Sequence, residues 1–357
     1  MCSNSRHNLA ICAIMGAQNQ HYVPKFVLRQ FLAEGAGERV HVYDKHEDQT
    51  FVTSIKNIMA ERRFNEFVFD DDYIASFEPV ACGAEGQVLP AYREVVAQRR
   101  LNDSPMQKAA LAVFLAFQLL RTKAHREQWQ AMEDETVRIV EAAGGRMEDL
   151  KGWEDWQPAT EDSLKREHLS FIQRQIGTFA QIIGTKNFLL MEAAPGTRLY
   201  LGDSPVVRAN SRDFDLQGNL GIAQEGIEIY MPLSADLLLC AWCPSLLKEV
   251  REGLASAKND IRSNALSRVV RGELDASGMK TTLDEFAALT QPLEDLVAGA
   301  ADGRPVGSSP DNMDYYNSLQ TSWAYRYVIS PDGNFELARQ VNRDNPDLRR
   351  GHRMRAA

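Results

Sequence analysis

The segment His21-Tyr22-Val23-Pro24 puts a titratable ring and a phenol just ahead of a proline. Proline restricts the preceding residue to extended backbone, which fixes where the His21 and Tyr22 side chains point. A histidine so placed suits general acid–base work or metal ligation, because its pKa lies near neutrality. The competing reading is a histidine that hydrogen-bonds a neighbouring helix. A second candidate is Asp203-Ser204-Pro205, which follows Gly202 at the end of a strand-like run. Sites are commonly built where strands end, but Asp and Ser also form such turns unaided.

The third candidate is an anomaly in the most apolar stretch, Ala109 to Leu120, which Gln118 interrupts. Phe114, Gln118, Arg121 and His125 are spaced as one face of a continuous helix would require. A buried amide and guanidinium must find partners, since leaving one unpaired costs about 1–3 kcal/mol. Glu78 and Glu85 are the natural carboxylates for Arg121. Arg121 and His125 fall one residue short of the Arg-x(4–6)-His spacing of metal-independent ribonucleases of the HEPN class. A structural arginine paired with a carboxylate is the alternative.

These residues must be positioned by a folded scaffold. The chain has 357 residues, 44% hydrophobic and 25% charged, which excludes intrinsically disordered and collagen-like classes. A formal charge of −9 argues against a constitutive nucleic-acid coat or an anionic-membrane binder. No apolar run approaches the ~18 residues of a membrane span. Five scattered cysteines fit a reducing, cytoplasmic compartment without disulfides. Cys240-Ala-Trp-Cys243 lies in an apolar strand-like run and reads as structural, not redox-active. The phosphate loops of P-loop enzymes and kinases are absent, as are the Rossmann fingerprint, the G-x-S-x-G elbow and zinc-type Cys/His arrays.

Periodicity places the candidates on an α+β scaffold, predominantly α-helical, with an N-terminal β-hairpin and a small central antiparallel sheet. A short helix is predicted from Tyr22 to Leu32. The hairpin spans residues 39–54, with Lys45 to Asp48 as its turn. An interrupted helix is expected from Asp70 to Arg100, and one long helix from about Met106 to beyond Val140. Another runs from Ser163 to Ile183. The period then changes to two, giving strands at Phe188–Met191, Arg198–Leu201, Ile227–Met231 and Leu237–Trp242. Helices return at 244–271, 282–296 and 311–327. Three parts are expected: residues 1–18 as a disordered extension, with the start left open between Met1 and Met15; 19–342 as a single α+β domain; and 343–357 as a flexible tail bearing Arg349, Arg350, Arg353 and Arg355.

The run Gln20 to Phe31 (QHYVPKFVLRQF), Val42-Tyr43-Asp44-Lys45, Ser54 to Ile58 and Glu61-Arg62-Arg63-Phe64 resembles the opening of a bacterial family catalogued as domain of unknown function 4238. The resemblance continues through Glu85, Gln118 to Thr122, Gly202 to Val206 and the helix from Asn317 to Arg326. It brings no assigned reaction, but it singles out His21, Glu85, Gln118, Arg121 and Asp203, which are expected to converge.

Two functions stay open. In the first, a hydrolase or phosphodiesterase-type enzyme uses His21, Glu85 and Asp203 as catalytic groups, while Tyr22, Gln118, Arg121 and Ser204 hold a phosphorylated small molecule or nucleic acid. In the second, the same residues form a structural polar network in a non-catalytic binding module. Any bound ion is expected to be a hard, oxygen-preferring one such as Mg²⁺ or Mn²⁺.

Overall fold

The computed structural model describes residues 19–70, 73–212 and 219–352. The expected extension at 1–18 and the last tail residues, 353–357, lie outside the described residues. The described part is α+β and mostly helical, 53% helix against 17% strand.

Strand β1 (Asn19–His21) leads through Pro24 into a single turn, α1 (Lys25–Leu28), which a 3₁₀ turn prolongs to Phe31. The helix expected from Tyr22 starts later because Pro24 holds an extended ψ of 142° as its N-cap. Strands β2 (Arg39–Asp44) and β3 (Gln49–Ser54) pair antiparallel from Arg39↔Ser54 to Asp44↔Gln49, with Lys45 to Asp48 as the turn. Strand β4 (Ala60–Arg62) returns beside β1, setting His21 opposite Ala60. Residues 66–76 then make a second hairpin, β5 (Glu66–Asp70) with β6 (Tyr73–Ser76), where the sequence suggested helix from Asp70. Helix α2 (Glu78–Gln98) follows and accommodates Pro90 without interruption.

The long helix expected from Met106 to beyond Val140 is two helices, α3 (Pro105–Leu120) and α4 (Lys123–Ala142). Thr122 breaks it: its backbone is extended (ψ 159°), and its hydroxyl accepts the His125 N–H as an N-cap. Gln118 and His125 therefore do not share one helical face. Helix α5 (Glu161–Gly184), closed by a Thr160–Ser163 capping box, packs along α3.

The central sheet runs, in spatial order, Pro305–Gly307, Asn187–Glu192, Leu237–Trp242, Glu228–Ser234 and Val207–Ala209. It comprises β7 (Asn187–Glu192), β9 (Val207–Ala209), β10 (Glu228–Ser234), β11 (Leu237–Trp242) and β12 (Pro305–Gly307). Its pairs are antiparallel except β12 with β7, which is parallel. Strands β10 and β11 are buried almost end to end, which is why they read as continuous apolar runs and not as alternation. The strand expected at 198–201 shrinks to β8 (Leu201–Gly202) and joins the hairpin instead, in a four-stranded sheet β3-β2-β13-β8 completed by β13 (Tyr327–Ser330). Helices α6 (Pro244–Val270) and α7 (Ala276–Asp302) pack against each other, and α8 (Pro310–Trp323) ends before β13. Among the described residues, no helix is long and apolar enough to cross a membrane.

After α9 (Glu336–Asp344) the basic segment packs on the body through residue 352, although flexibility was expected from 343. Arg349 donates from Nε to the Lys45 carbonyl (3.0 Å) and from Nη2 to the His46 carbonyl (2.8 Å). Gly351 turns at φ +77°, where an added Cβ would lie 2.8 Å from the Trp323 carbonyl oxygen, and this lets His352 stack on Trp323 at 4.3 Å between centroids.

Candidate functional site

The segment from Ala324 to Tyr327, between α8 and β13, is shaped by one carboxylate. Asp203 is 1% exposed, and its two oxygens accept three consecutive backbone N–H groups: Tyr325 at 2.7 Å, Arg326 at 3.0 Å and Tyr327 at 3.0 Å. Its own N–H donates to the Tyr327 carbonyl at 2.9 Å. Burial raises its pKa, against these hydrogen bonds and the nearby Lys45 ammonium. Lys45 is as deeply buried and is coordinated by three carbonyls: Thr321 (2.6 Å), Ala324 (2.8 Å) and Leu348 (2.9 Å). Burial lowers its pKa and the Asp203 charge offsets part of that. The pair pins the hairpin turn, the end of α8 and the C-terminal segment together.

On this platform lies a cavity of about 330 Å³, lined by Tyr22, His46, Asn57, Met59, Ala60, Glu61, Lys123, Tyr325, Arg326, Tyr327 and Arg350. Its charge is mainly positive. Lys123 pairs with Glu61 and lies over the Tyr325 ring, 5.6 Å from the centroid. Arg326 donates from Nε (2.9 Å) and Nη2 (2.7 Å) to one oxygen of Asp44 and stands 5.1 Å from the Tyr327 centroid. Arg350 reaches the wall because Arg349 anchors the tail beneath it. The His46 ring meets the Tyr325 carbonyl through Nε2 at 2.8 Å. Since a carbonyl only accepts, Nε2 carries the proton and Nδ1 keeps a lone pair. Burial, above all, lowers the His46 pKa, so the ring is neutral near pH 7.

The residues selected from sequence fall into two groups. Arg121 Nη1 pairs with Glu85 and its Nη2 donates to the His21 carbonyl, so His21, Glu85 and Arg121 do meet, though through the His21 backbone. The His21 ring is turned to the Ile55 carbonyl, 2.8 Å from Nε2, and burial lowers its pKa. Tyr22 lines the cavity and feels the charges of Asp203 and Glu61, which links it to the second group. Asp203 is committed to backbone amides below the cavity. Ser204 Oγ and both amide atoms of Gln118 are buried without a hydrogen-bond partner. Among the described residues, no three His, Cys, Asp or Glu side chains cluster as a metal ion would require.

Sequence reasoning passed over most of the cavity wall. Lys45 and His46 read as turn residues, Arg350 as mobile tail, and Tyr325 to Tyr327 as the end of a helix. A signal existed: the segments Val42–Lys45, Glu61–Phe64 and Asn317–Arg326, which carry the family resemblance, form or adjoin the wall. Cys240 and Cys243 are both buried free thiols, Cys240 within β11 and Cys243 as the N-cap of α6.

A family model described as protein of unknown function (DUF4238) matches residues 19–334, and the chain belongs to that family. No curated protein and no solved structure matches it.

Proposed function

We propose that the protein acts on a phosphorylated ligand of the nucleotide or nucleic-acid class, bound in the cavity between β4, the start of α4 and the 325–327 segment. The observation that carries this reading is the wall itself: Lys123, Arg326 and Arg350 stand beside Tyr22, Tyr325 and Tyr327, with Glu61 as the single carboxylate among the lining residues. Guanidinium and ammonium groups recognise phosphate oxygens, while tyrosine rings offer stacking faces to a base.

For hydrolytic or phosphodiester chemistry, the acid–base work moves from His21, Glu85 and Asp203 to His46, whose Nδ1 lone pair suits a general base. In this scheme His46 takes a proton from the attacking water as its oxygen bonds to phosphorus, the ester P–O bond breaks with its electron pair leaving on the departing oxygen, which solvent protonates, and the cations balance the charge growing on the phosphoryl oxygens. Asp203, Lys45, Arg121 and Glu85 hold the cavity in shape. Turnover of a chromogenic phosphodiester by the wild type and by His46→Ala tests the scheme. Activity that falls by about 100-fold or more in the variant, with unchanged melting temperature, supports it; equal activity in both removes His46 from the reaction.

The non-catalytic reading also has a specific observation behind it, because Asp203, Lys45 and Arg121 all satisfy backbone groups. It differs in one outcome: the ligand binds, and no product forms with any phosphoester.

A further inference from the structure

The segment Cys240-Ala-Trp-Cys243 divides between two environments. Cys240 is fully enclosed in β11, whereas the strand ends at Trp242 and Cys243 is the N-cap of α6, a helix of 27 residues with Pro244 in its first turn. The Cys243 N–H donates to the Ile227 carbonyl at 2.8 Å, which fixes the residue at the rim of the central sheet with 8% of its surface exposed. Its sulfur accepts from the Ser245 hydroxyl at 3.3 Å. Ser245 Oγ is in turn reached by Arg212 Nη2 at 3.5 Å, and Arg212 is paired with Glu225 and Glu249. The hydroxyl thus accepts from a cation and donates to the sulfur.

Lys186 completes this place from a different element. The antiparallel ladder of β7 with β11 ends at Asn187↔Trp242, so the next position on each strand is Lys186 and Cys243. The register sets the two across from each other at the end of the ladder, where opposed side chains share one face. Lys186 is 4% exposed, and among the described residues its ammonium has no hydrogen bond and no carboxylate partner. A buried ammonium needs a negative charge beside it. Burial lowers the Lys186 pKa, and the charge that opposes this is the Cys243 thiolate.

For the sulfur, burial pushes the thiol up, but the Ser245 hydroxyl, the backbone N–H groups of Ser245 and Gly226 and the Lys186 ammonium outweigh it, so the net direction is down. The start of α6 adds the positive end of its dipole. The other described thiols shift the opposite way. Cys240 is raised by burial and then by Glu228; Cys82, although exposed, is raised by burial and then by the charges of Glu78 and Glu85. The more exposed thiol is therefore the less ionised one.

We infer that Cys243 is a peroxide-reactive thiol, a modification site whose co-reactant is hydrogen peroxide. The thiolate, having given its proton to solvent, attacks one peroxide oxygen. The S–O bond forms as the O–O bond breaks, and the electron pair leaves on the distal oxygen as hydroxide, which takes a proton from solvent and departs as water. The sulfur is oxidised by two electrons to sulfenic acid and the peroxide is reduced. Lys186 and the Ser245 hydroxyl, which hold the thiolate, also face the charge that appears on the departing oxygen. The site shares no residue with the cavity wall.

The test exposes the full-length protein to a pulse of hydrogen peroxide, removes the excess with catalase, unfolds the protein in dimedone and iodoacetamide, and reads each cysteine peptide by mass spectrometry. The proteins are wild type and Lys186→Met, with melting temperatures measured alongside. The inference expects the dimedone adduct at Cys243 to form about tenfold faster than at Cys82, with a midpoint in pH below the ~8.5 of a free thiol. Lys186→Met should slow Cys243 about threefold or more, move that midpoint up and leave Cys82 as it was. Oxidation of Cys82 as fast as Cys243 overturns the inference, because exposure alone then decides. So does a Cys243 midpoint at or above that of a free thiol, and so does an unchanged Cys243 rate in a folded Lys186→Met. Should Lys186→Met not fold, the two wild-type readings decide by themselves.

Discussion

Replacing Asp203 by Asn keeps the shape of the side chain and changes only its charge and one oxygen. The native carboxylate accepts three backbone N–H groups and sits beside the Lys45 ammonium. In the variant, at least one of the three N–H groups faces an amide NH₂ and is orphaned, at a cost of about 1–3 kcal/mol, and the other bonds lose charge assistance worth about 0.5–1 kcal/mol each. The sum is roughly 3–4 kcal/mol. For 357 residues, an unfolding entropy of about 2.1 cal/mol/K per residue gives ~0.75 kcal/mol/K, so the melting temperature should fall by about 4–5 °C. Differential scanning calorimetry reads this directly. His21→Ala, which removes a single bond to the Ile55 carbonyl, should fall by only about 1–2 °C. A melting temperature for Asp203→Asn within about 1 °C of wild type would refute the assignment of Asp203 as the anchor of the cavity floor.

Three further outcomes follow from the geometry. Glu85→Ala should destabilise by roughly 3 kcal/mol, because Arg121 is 3% exposed and loses its carboxylate; adding Arg121→Met should recover part of the loss, giving a coupling above about 1 kcal/mol in a double-mutant cycle of chemical unfolding. Thr122→Ala removes the N-cap of α4 and should cost about 1 kcal/mol, read as a shifted urea midpoint with an unchanged slope. His125 titrates near 4 in the fold against about 6.5 when unfolded, so its contribution is complete above about pH 6.5 and is lost as pH falls through 4. That amounts to roughly 3 kcal/mol, and His125→Phe should flatten stability against pH between 6.5 and 4; an unchanged slope would contradict the burial of this ring.

Local features were legible in the sequence wherever one element's own residues set them. The β2–β3 hairpin, the buried β10 and β11 and the helical frame all follow from periodicity. Arg121 was recognised as a buried cation in need of a carboxylate, and Glu85 supplies it. The break between α3 and α4 was missed because residues 121–125 keep helical periodicity, and only the Thr122 hydroxyl, capping the His125 N–H, decides for the break. The platform under the cavity was hidden for a different reason: the carbonyls that hold Lys45 lie 276 to 303 positions away in the chain, so no local pattern marks a turn lysine as buried. Arg350 was hidden likewise, since its place depends on Arg349 meeting the carbonyls of residues 45 and 46.

Whether the cavity beside Lys123, Arg326 and Arg350 takes a phosphorylated ligand is decided by a crystal structure of the protein soaked with a nucleoside monophosphate. A phosphate is expected against these three side chains, with the base on Tyr325 or Tyr327, and that density should be lost in Lys123→Ala/Arg350→Ala. An empty cavity at saturating ligand, or a nucleotide bound only elsewhere on the molecule, would contradict it.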